Sequence, residues 1–262
     1  VKGKLTFLGT GTSQGVPLPA CSCYVCQSHE PKDHRLRSSV LVEVAEHTIC
    51  IDTGPDFRYQ MLREKVMKLD AILYTHEHRD HVGGLDDVRA FNYIHAQAMP
   101  LYAPSEVIKA LHQSYAYIFN SNYPGIPKVS LCEIDEPPFS INDIHITPIP
   151  VWHHKLRVFG YRMGDLAYIT DAKTVPESSR KLIRDIPILI INCLHESPHI
   201  SHFNLEEALA FIDDIRPKRT YLTHISHLFG THEEIQSKLP HTVEAAYDGL
   251  SILFNPEMSD YS

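Results

Sequence analysis

His76-Glu77-His78-Arg79-Asp80-His81 sets four metal-competent side chains within six residues, directly after the short apolar run at 71–75. Side chains alternate across an extended backbone, so His76 and His78 point the same way. Asp80 and His81 fall at the turn into the next element and face a second point. So short a segment does not wrap four ligands comfortably around one ion, and two pairs serving two ions is the natural reading. Further candidates stand at the tips of apolar, strand-like runs: His153 and His154 after "PIPVW", Asp171 after "LAYIT" and His224 after "RTYLT". Functional groups gather in the loops that strand ends feed. The chain carries 18 histidines in 262 residues, and histidine is both the commonest metal ligand and the usual acid or base near neutral pH.

A second concentration is Cys21-Ser22-Cys23-Tyr24-Val25-Cys26, which holds three of the six cysteines. A disulfide knot, a redox pair and a metal clip are the three options. An odd number of thiols counts against disulfides. A proline-flanked loop, rather than a helix start, counts against a redox pair. Three thiolates need a fourth partner to close a tetrahedral zinc. Cys50, Cys132 and Cys193 sit singly in apolar runs and read as buried free thiols.

The elements that must position these groups are legible as pattern. Strands are expected at "KLTFLGT", at the antiparallel-looking pair "SSVLVEV" and "HTICIDTG", and at "AILYT" and "MPLYAP". Helical periodicity marks 56–67, 85–94 and 105–119, the last with Ser105 as its cap. The second half is organised in the same way. Its strands are expected at "VSLCEID", "IHITPIPV", "FGYRMG", "LAYIT", "ILIINCL", "RTYLTHI" and the closing "VEAAYDGLSILF", with helices at 176–185, 204–215 and 231–239. Two strand-rich halves with flanking helices predict two sheets packed face to face with helices outside, in one α/β domain spanning 1–262. The glycines of "GTGTSQG" do not give GxGxxG and no helix follows, so they predict a tight loop beside the site rather than a dinucleotide cradle.

Composition narrows the function classes. The net charge is −8 and the pI about 6.1, with no lysine- or arginine-rich run, which argues against long nucleic acid as a partner. No apolar run approaches the roughly 18 residues of a membrane span, and the N-terminal stretch reads as a first strand rather than a signal region. The expected location is the cytoplasm.

"HEHRDH" followed in order by His153, Asp171 and His224 resembles the metallo-β-lactamase fold superfamily, whose αββα sandwich carries a dinuclear metal site along one edge of its sheets. The resemblance implies His76, His78 and His153 as ligands of one metal, Asp80, His81 and His224 as ligands of the other, and Asp171 as the bridging carboxylate. It implies His153 rather than His154 as the ligand, because "HHKLRVFGY" is similar to a family pattern with the ligand two residues before a lysine. Asp52 in "CIDTGP" matches an early strand-end aspartate that supports the metal histidines. Two cations about 3.5–4 Å apart suit phosphate-ester hydrolysis, and the donor set suits zinc, manganese or iron.

Within the superfamily, "GTGTSQGVP" with the cysteine cluster, "HKLRVFGY", "SHFNLEEAL" and "LTHISH" is similar to the cyclic-phosphate phosphodiesterases of phosphonate breakdown. That likeness implies a structural zinc on Cys21, Cys23, Cys26 and His227. It also implies catalytic roles for His202 and Asp80, a small and cyclic phosphodiester as substrate, and a homodimer. "CLHESPHISHF" is shorter and richer in histidine than the pattern, which leaves the substrate open. The alternatives are a tRNA 3′-processing endonuclease of ribonuclease Z type and a catalytically inactive metal-binding protein.

Overall fold

Alternation along the strands builds the layers. In β1 (Gly3–Gly9), Leu5 and Phe7 face one core while Leu8 faces another. β2 (Ser39–Val44) and β3 (His47–Ile51) do the same, with Val40, Val42, Ile49 and Ile51 on one side and Leu41 and Cys50 on the other. A sheet buried on both faces reads as nearly continuous apolar sequence, which is how these runs look. The structure is a computed structural model and describes residues 2–121 and 123–257; the other positions of the expected 1–262 domain lie outside them.

β4 (Ala71–Leu73), β5 (Met99–Ala103) and β6 (Val129–Glu133) extend the first sheet. The second sheet is built from β7 (Phe139–Ile141), β8 (Ile144–His153), β9 (Leu156–Met163), β10 (Leu166–Ile169), β11 (Ile188–Asn192), β12 (Arg219–Thr223) and β13 (Val243–Ala245). β14 (Ser251–Phe254) then returns to pair with β1. The orders are β14-β1-β2-β3-β4-β5-β6 and β13-β12-β11-β10-β9-β8-β7. Each sheet begins with antiparallel hairpins and ends in parallel strands, β3 to β6 in one and β10 to β13 in the other.

One apolar cluster lies between the sheets and joins Leu5, Phe7 and Ile51 to Phe159, Tyr161, Tyr168 and Ile190. A second cluster, outside the first sheet, is covered by α1 (Phe57–Arg63), α2 (Arg79–Val82), α3 (Arg89–His95), α4 (Ser105–Ser114) and α5 (Ala116–Asn120). A third, outside the second sheet, is covered by α6 (Glu177–Ile183), α7 (Leu205–Ile215) and α8 (His232–Ser237). The four layers are the expected αββα sandwich. No helix among the described residues is long and apolar enough to cross a membrane.

Several local expectations are corrected. The helix foreseen at 105–119 is two helices, because Tyr115 leaves helical geometry and buries its ring, its hydroxyl donating to the Val82 carbonyl at 2.8 Å. Ser105 does not cap α4: the cap position is the extended Pro104, with no side-chain bond. The helix at 56–67 stops at Arg63, where Lys65 turns left-handed and Val66 N–H reaches back to the Met61 carbonyl at 3.0 Å, a Schellman closure. The helix at 85–94 opens with a 3-10 turn over Leu85–Val88 before α3. Cys50 and Cys193 are buried as expected, but Cys132 is partly exposed because β6 is the edge of its sheet.

Candidate metal centre

Parallel strands of both sheets deliver their C-terminal ends to one place. Asp52 follows β3, His76 and His78 follow β4, Asp171 follows β10 and His224 follows β12, while His153 closes β8. Asp52, Asp171 and His224 all adopt left-handed backbone conformations, with φ of 65°, 55° and 57°. Such conformations cost of order 1–3 kcal/mol for a non-glycine residue and collect at functional sites. Asp80 and His81 ride on α2, whose approach depends on Gly54: a Cβ there would sit 2.2 Å from the Asp80 carbonyl oxygen.

The imidazoles are held by one nitrogen each. His81 Nδ1–H donates to Asp52 Oδ2 at 2.7 Å. The Thr75 hydroxyl donates to the same carboxylate at 2.8 Å, which leaves it to accept from His76 Nδ1–H at 2.9 Å. The Ser38 hydroxyl donates to the Gly11 carbonyl at 2.9 Å and so accepts from His224 Nδ1–H at 3.2 Å. His153 Nδ1–H donates to the Ser201 carbonyl at 2.8 Å. Each of these bonds fixes the tautomer and turns the lone pair of Nε2 toward the centre.

At the centre those nitrogens meet carboxylates. His81 Nε2 lies 3.2 Å from both Asp80 Oδ2 and Asp171 Oδ2, and His224 Nε2 lies 3.3 Å from Asp171 Oδ1. His202 Nδ1 is 3.8 Å from Asp171 Oδ1. Among the described residues, the ligand-competent atoms of this centre converge in three groups: His76, His81 and Asp171; His153, Asp171 and His202; and Asp80, Asp171 and His224. Asp171 belongs to all three.

The tight groups divide the residues differently from the sequence expectation. His76 sits with His81, and His202 joins His153. His78 is farther out and more exposed, its ring 4.7 Å from that of His76 and 5.1 Å from that of His153. His154 is exposed, at φ 56°, and belongs to no group.

This arrangement fits divalent cations. Buried His76 Nε2, His81 Nε2, His202 Nδ1 and His224 Nε2 have no hydrogen-bond partner among the described residues. An unpartnered buried polar atom costs about 1–3 kcal/mol, a cost that falls chiefly on His76 Nε2 and His202 Nδ1, because His81 Nε2 and His224 Nε2 face carboxylate oxygens at 3.2–3.3 Å. Burial holds His76 and His224 below the usual imidazole range, and neutral imidazole is the form that binds metal. Burial alone would raise the Asp171 carboxyl, but the neighbouring His224 and His81 outweigh it and leave it well below the usual range. Burial opposes a charge on His81 as well, yet Asp171, Asp52 and Asp80 push it well above its ordinary value. A proton there offsets the carboxylate charge that a cation would neutralise.

The cysteine cluster also closes. Cys21, Cys23 and Cys26 Sγ lie 3.6, 3.3 and 3.6 Å from His227 Nδ1. Bonds of ~2.3 Å to sulfur and ~2.0 Å to nitrogen set tetrahedral zinc ligands about 3.5 Å apart. The hydrogen bond from His227 draws the Cys23 thiol down to about 6, and burial lifts Cys26 to about 11. Without a cation, thiols this close do not ionise together.

Residues 47–225 match the model of the beta-lactamase superfamily domain. A crystal structure of a new diphosphatase from the PhnP family is 39% identical, covers 97% of this chain and 98% of its own, and superposes with a TM-score of 0.91. The chain belongs to the beta-lactamase superfamily and, within it, to the PhnP family. Among curated relatives, this PhnP-family chain is 38% identical to an octanoyltransferase of Porphyromonas gingivalis, over 95% of its own length and 51% of the relative's. It is 26% identical to a ribonuclease Z of Exiguobacterium sp., over 61% of its own length and 48% of the relative's. The chain thus spans about half the length of the curated relatives it matches.

Ser38, Thr75 and Ser201 are site residues that sequence reading missed. Hydroxyls and a backbone carbonyl carry no pattern of their own, although Thr75 and Ser201 each stand next to a singled-out histidine. Asp248, in "YDGLS", is another. It accepts from Thr10 N–H, the Thr10 hydroxyl and Leu36 N–H at 2.8–2.9 Å and so orders the glycine loop, which pairs with Ile225 beside His224.

Proposed function

We propose that the chain is a dinuclear-metal phosphodiesterase that hydrolyses a small phosphodiester. The observation that carries this reading is Asp171, which offers one carboxylate oxygen toward His81 and the other toward His224 and His202. That is the posture of a bridging ligand. His76, His78, His81, His153, His224, Asp80 and Asp171 would hold two divalent cations, and Cys21, Cys23, Cys26 and His227 a structural zinc. Two bound cations supply a nucleophile at neutral pH and neutralise charge on the phosphoryl oxygens. The protein's own part is orientation: Asp52, Thr75, Ser38 and Ser201 hold the imidazoles in the tautomer the centre needs. His202 lines the same centre; burial, with His224 beside it, holds its imidazole far below the usual range, so as a neutral ring it would hydrogen-bond a phosphoryl or departing oxygen.

The PhnP-family likeness supports a small substrate, and the diphosphatase among its members adds diphosphates to cyclic phosphates as a class to test. The ribonuclease Z relatives keep tRNA processing as the second reading, which the net charge of −8 disfavours. The test is hydrolysis by metal-loaded protein of bis(p-nitrophenyl) phosphate, a cyclic nucleotide, a diphosphate diester and a precursor tRNA, with octanoyl transfer as a control. Chelator-sensitive turnover of a small diester, abolished by His78→Ala or Asp171→Ala in folded protein, is expected. Cleavage of the precursor tRNA alone would transfer the assignment to the second reading, and no hydrolysis at all would leave a binding protein.

A further inference from the structure

The loop between β11 and α7 carries a row of histidines that begins at the candidate centre with His202 and runs beyond it. The His202 ring lies 4.7 Å from that of His224 and 4.5 Å from that of His153. The His199 ring follows at 5.2 Å from His202, and His195 stands edge-on to His199 at 6.0 Å. The row runs from the centre, through a buried His202, to a partly exposed His199.

The loop is closed at its base. Leu194 N–H donates to the Phe203 carbonyl and Leu205 N–H to the His195 carbonyl, both at 3.0 Å. Ser201 locks the tip: its carbonyl holds His153, while its own N–H donates to His199 Nδ1 at 3.3 Å, the hydroxyl lying at the same distance. A backbone N–H is an obligate donor, so Nδ1 of His199 is the acceptor and the ring proton sits on Nε2. That N–H has no hydrogen-bond partner among the described residues. Beside it, His195 is 9% exposed and its Nδ1 is unpartnered. A buried polar atom without a partner calls for a ligand or water.

We infer that His199, steadied by Ser201 and backed by His195, is a substrate-binding residue that receives a second phosphoryl group. The substrate would then be a diester in which a bridging oxygen joins the scissile phosphorus to another phosphorus. His199 stands one ring beyond His202, 5.2 Å between ring centres, so the phosphorus directly linked to one held at the centre would be the group within its reach. A nucleoside cyclic monophosphate has no such second group. Hydrolysis balances simply. The water oxygen joins one phosphorus, the bridging oxygen leaves on the other with the electron pair of the broken bond, and each phosphate monoester keeps one of the water's two protons.

This inference rests on the phosphodiesterase reading, and the experiment separates the two. Metal-loaded wild type, His199→Ala and His199→Gln are assayed on diadenosine diphosphate and on 2′,3′-cyclic AMP, with bis(p-nitrophenyl) phosphate as a general diester. Removing one hydrogen bond to a charged group should lower kcat/KM for diadenosine diphosphate by roughly 10–100-fold more than for the other two, chiefly through KM. Gln, whose amide can replace the Nε2 donor, should restore part of the loss. Inhibition by methylenediphosphonate should weaken in His199→Ala far more than inhibition by inorganic phosphate. Equal losses on all substrates would reduce His199 to a support for the loop and overturn the inference. So would a wild type that splits bis(p-nitrophenyl) phosphate but not diadenosine diphosphate, with the phosphodiesterase reading left standing. Hydrolysis of none of them would overturn both.

Discussion

At the scale of the residue, Asp52 shows how a group that need not touch a metal can control one. Its carboxylate is fully buried and takes three bonds, from His81 Nδ1, Thr75 N–H and the Thr75 hydroxyl, all within 2.9 Å. Through Thr75 it also orders His76. One carboxylate therefore sets two of the imidazoles. Asp52→Asn keeps the shape but loses the charge and one acceptor, and should weaken metal binding or activity by about 10–100-fold. Metal titration beside steady-state kinetics checks this; wild-type affinity with wild-type turnover would remove Asp52 from the machinery. The aspartate itself was legible in "CIDTGP". Its route to His76 was not, because it passes through a threonine hydroxyl, and a hydroxyl in sequence says nothing about which neighbour it will serve.

At the scale of the element, strand ends and loops do the positioning. The cysteine loop is the clearest case. His227 follows β12, three residues after His224, so a metal on Cys21, Cys23, Cys26 and His227 would pin the N-terminal loop beside the candidate centre. Cys23→Ser should lower bound zinc by about one equivalent per chain and speed proteolysis within residues 12–30, while the other metals stay. Unchanged zinc stoichiometry would sink the clip. Helix α7 is a second case. Asn204 and Glu207 form a reciprocal capping box, and Glu207 also binds Lys173 at 2.6 and 2.7 Å, close behind Asp171 in the chain. That cap was readable from "NLEEAL". The break at Tyr115 was not, since helical periodicity runs straight through it and only the buried contact with Val82 ends the helix.

At the scale of the molecule, the two parallel strand sets aim their C-terminal ends at one edge of the sandwich, and the charge gathered there needs a counterion. Cation removal should therefore cost stability as well as activity. A ligand at 100–1,000 times its dissociation constant stabilises the folded state by about 2.7–4.1 kcal/mol. For a chain of this size that corresponds to a fall in Tm of roughly 5–15 °C on chelation, measured by scanning calorimetry and reversed by adding metal. An unchanged Tm would mean that the centre holds no cation in the folded protein. The sequence by itself determined the αββα class, because apolar runs buried on both faces and helix periodicities are local signals. It also determined the ligand types, because "HEHRDH" and three strand-tip residues announce their chemistry in one dimension. Only the tertiary structure decided that Asp171 is common to all three candidate groups, that His202 lies in one of them while His154 lies in none, and that His199 has a free donor. Those facts are distances between strand ends far apart in the chain, set by how two sheets pack and twist, and no spacing along the sequence encodes them.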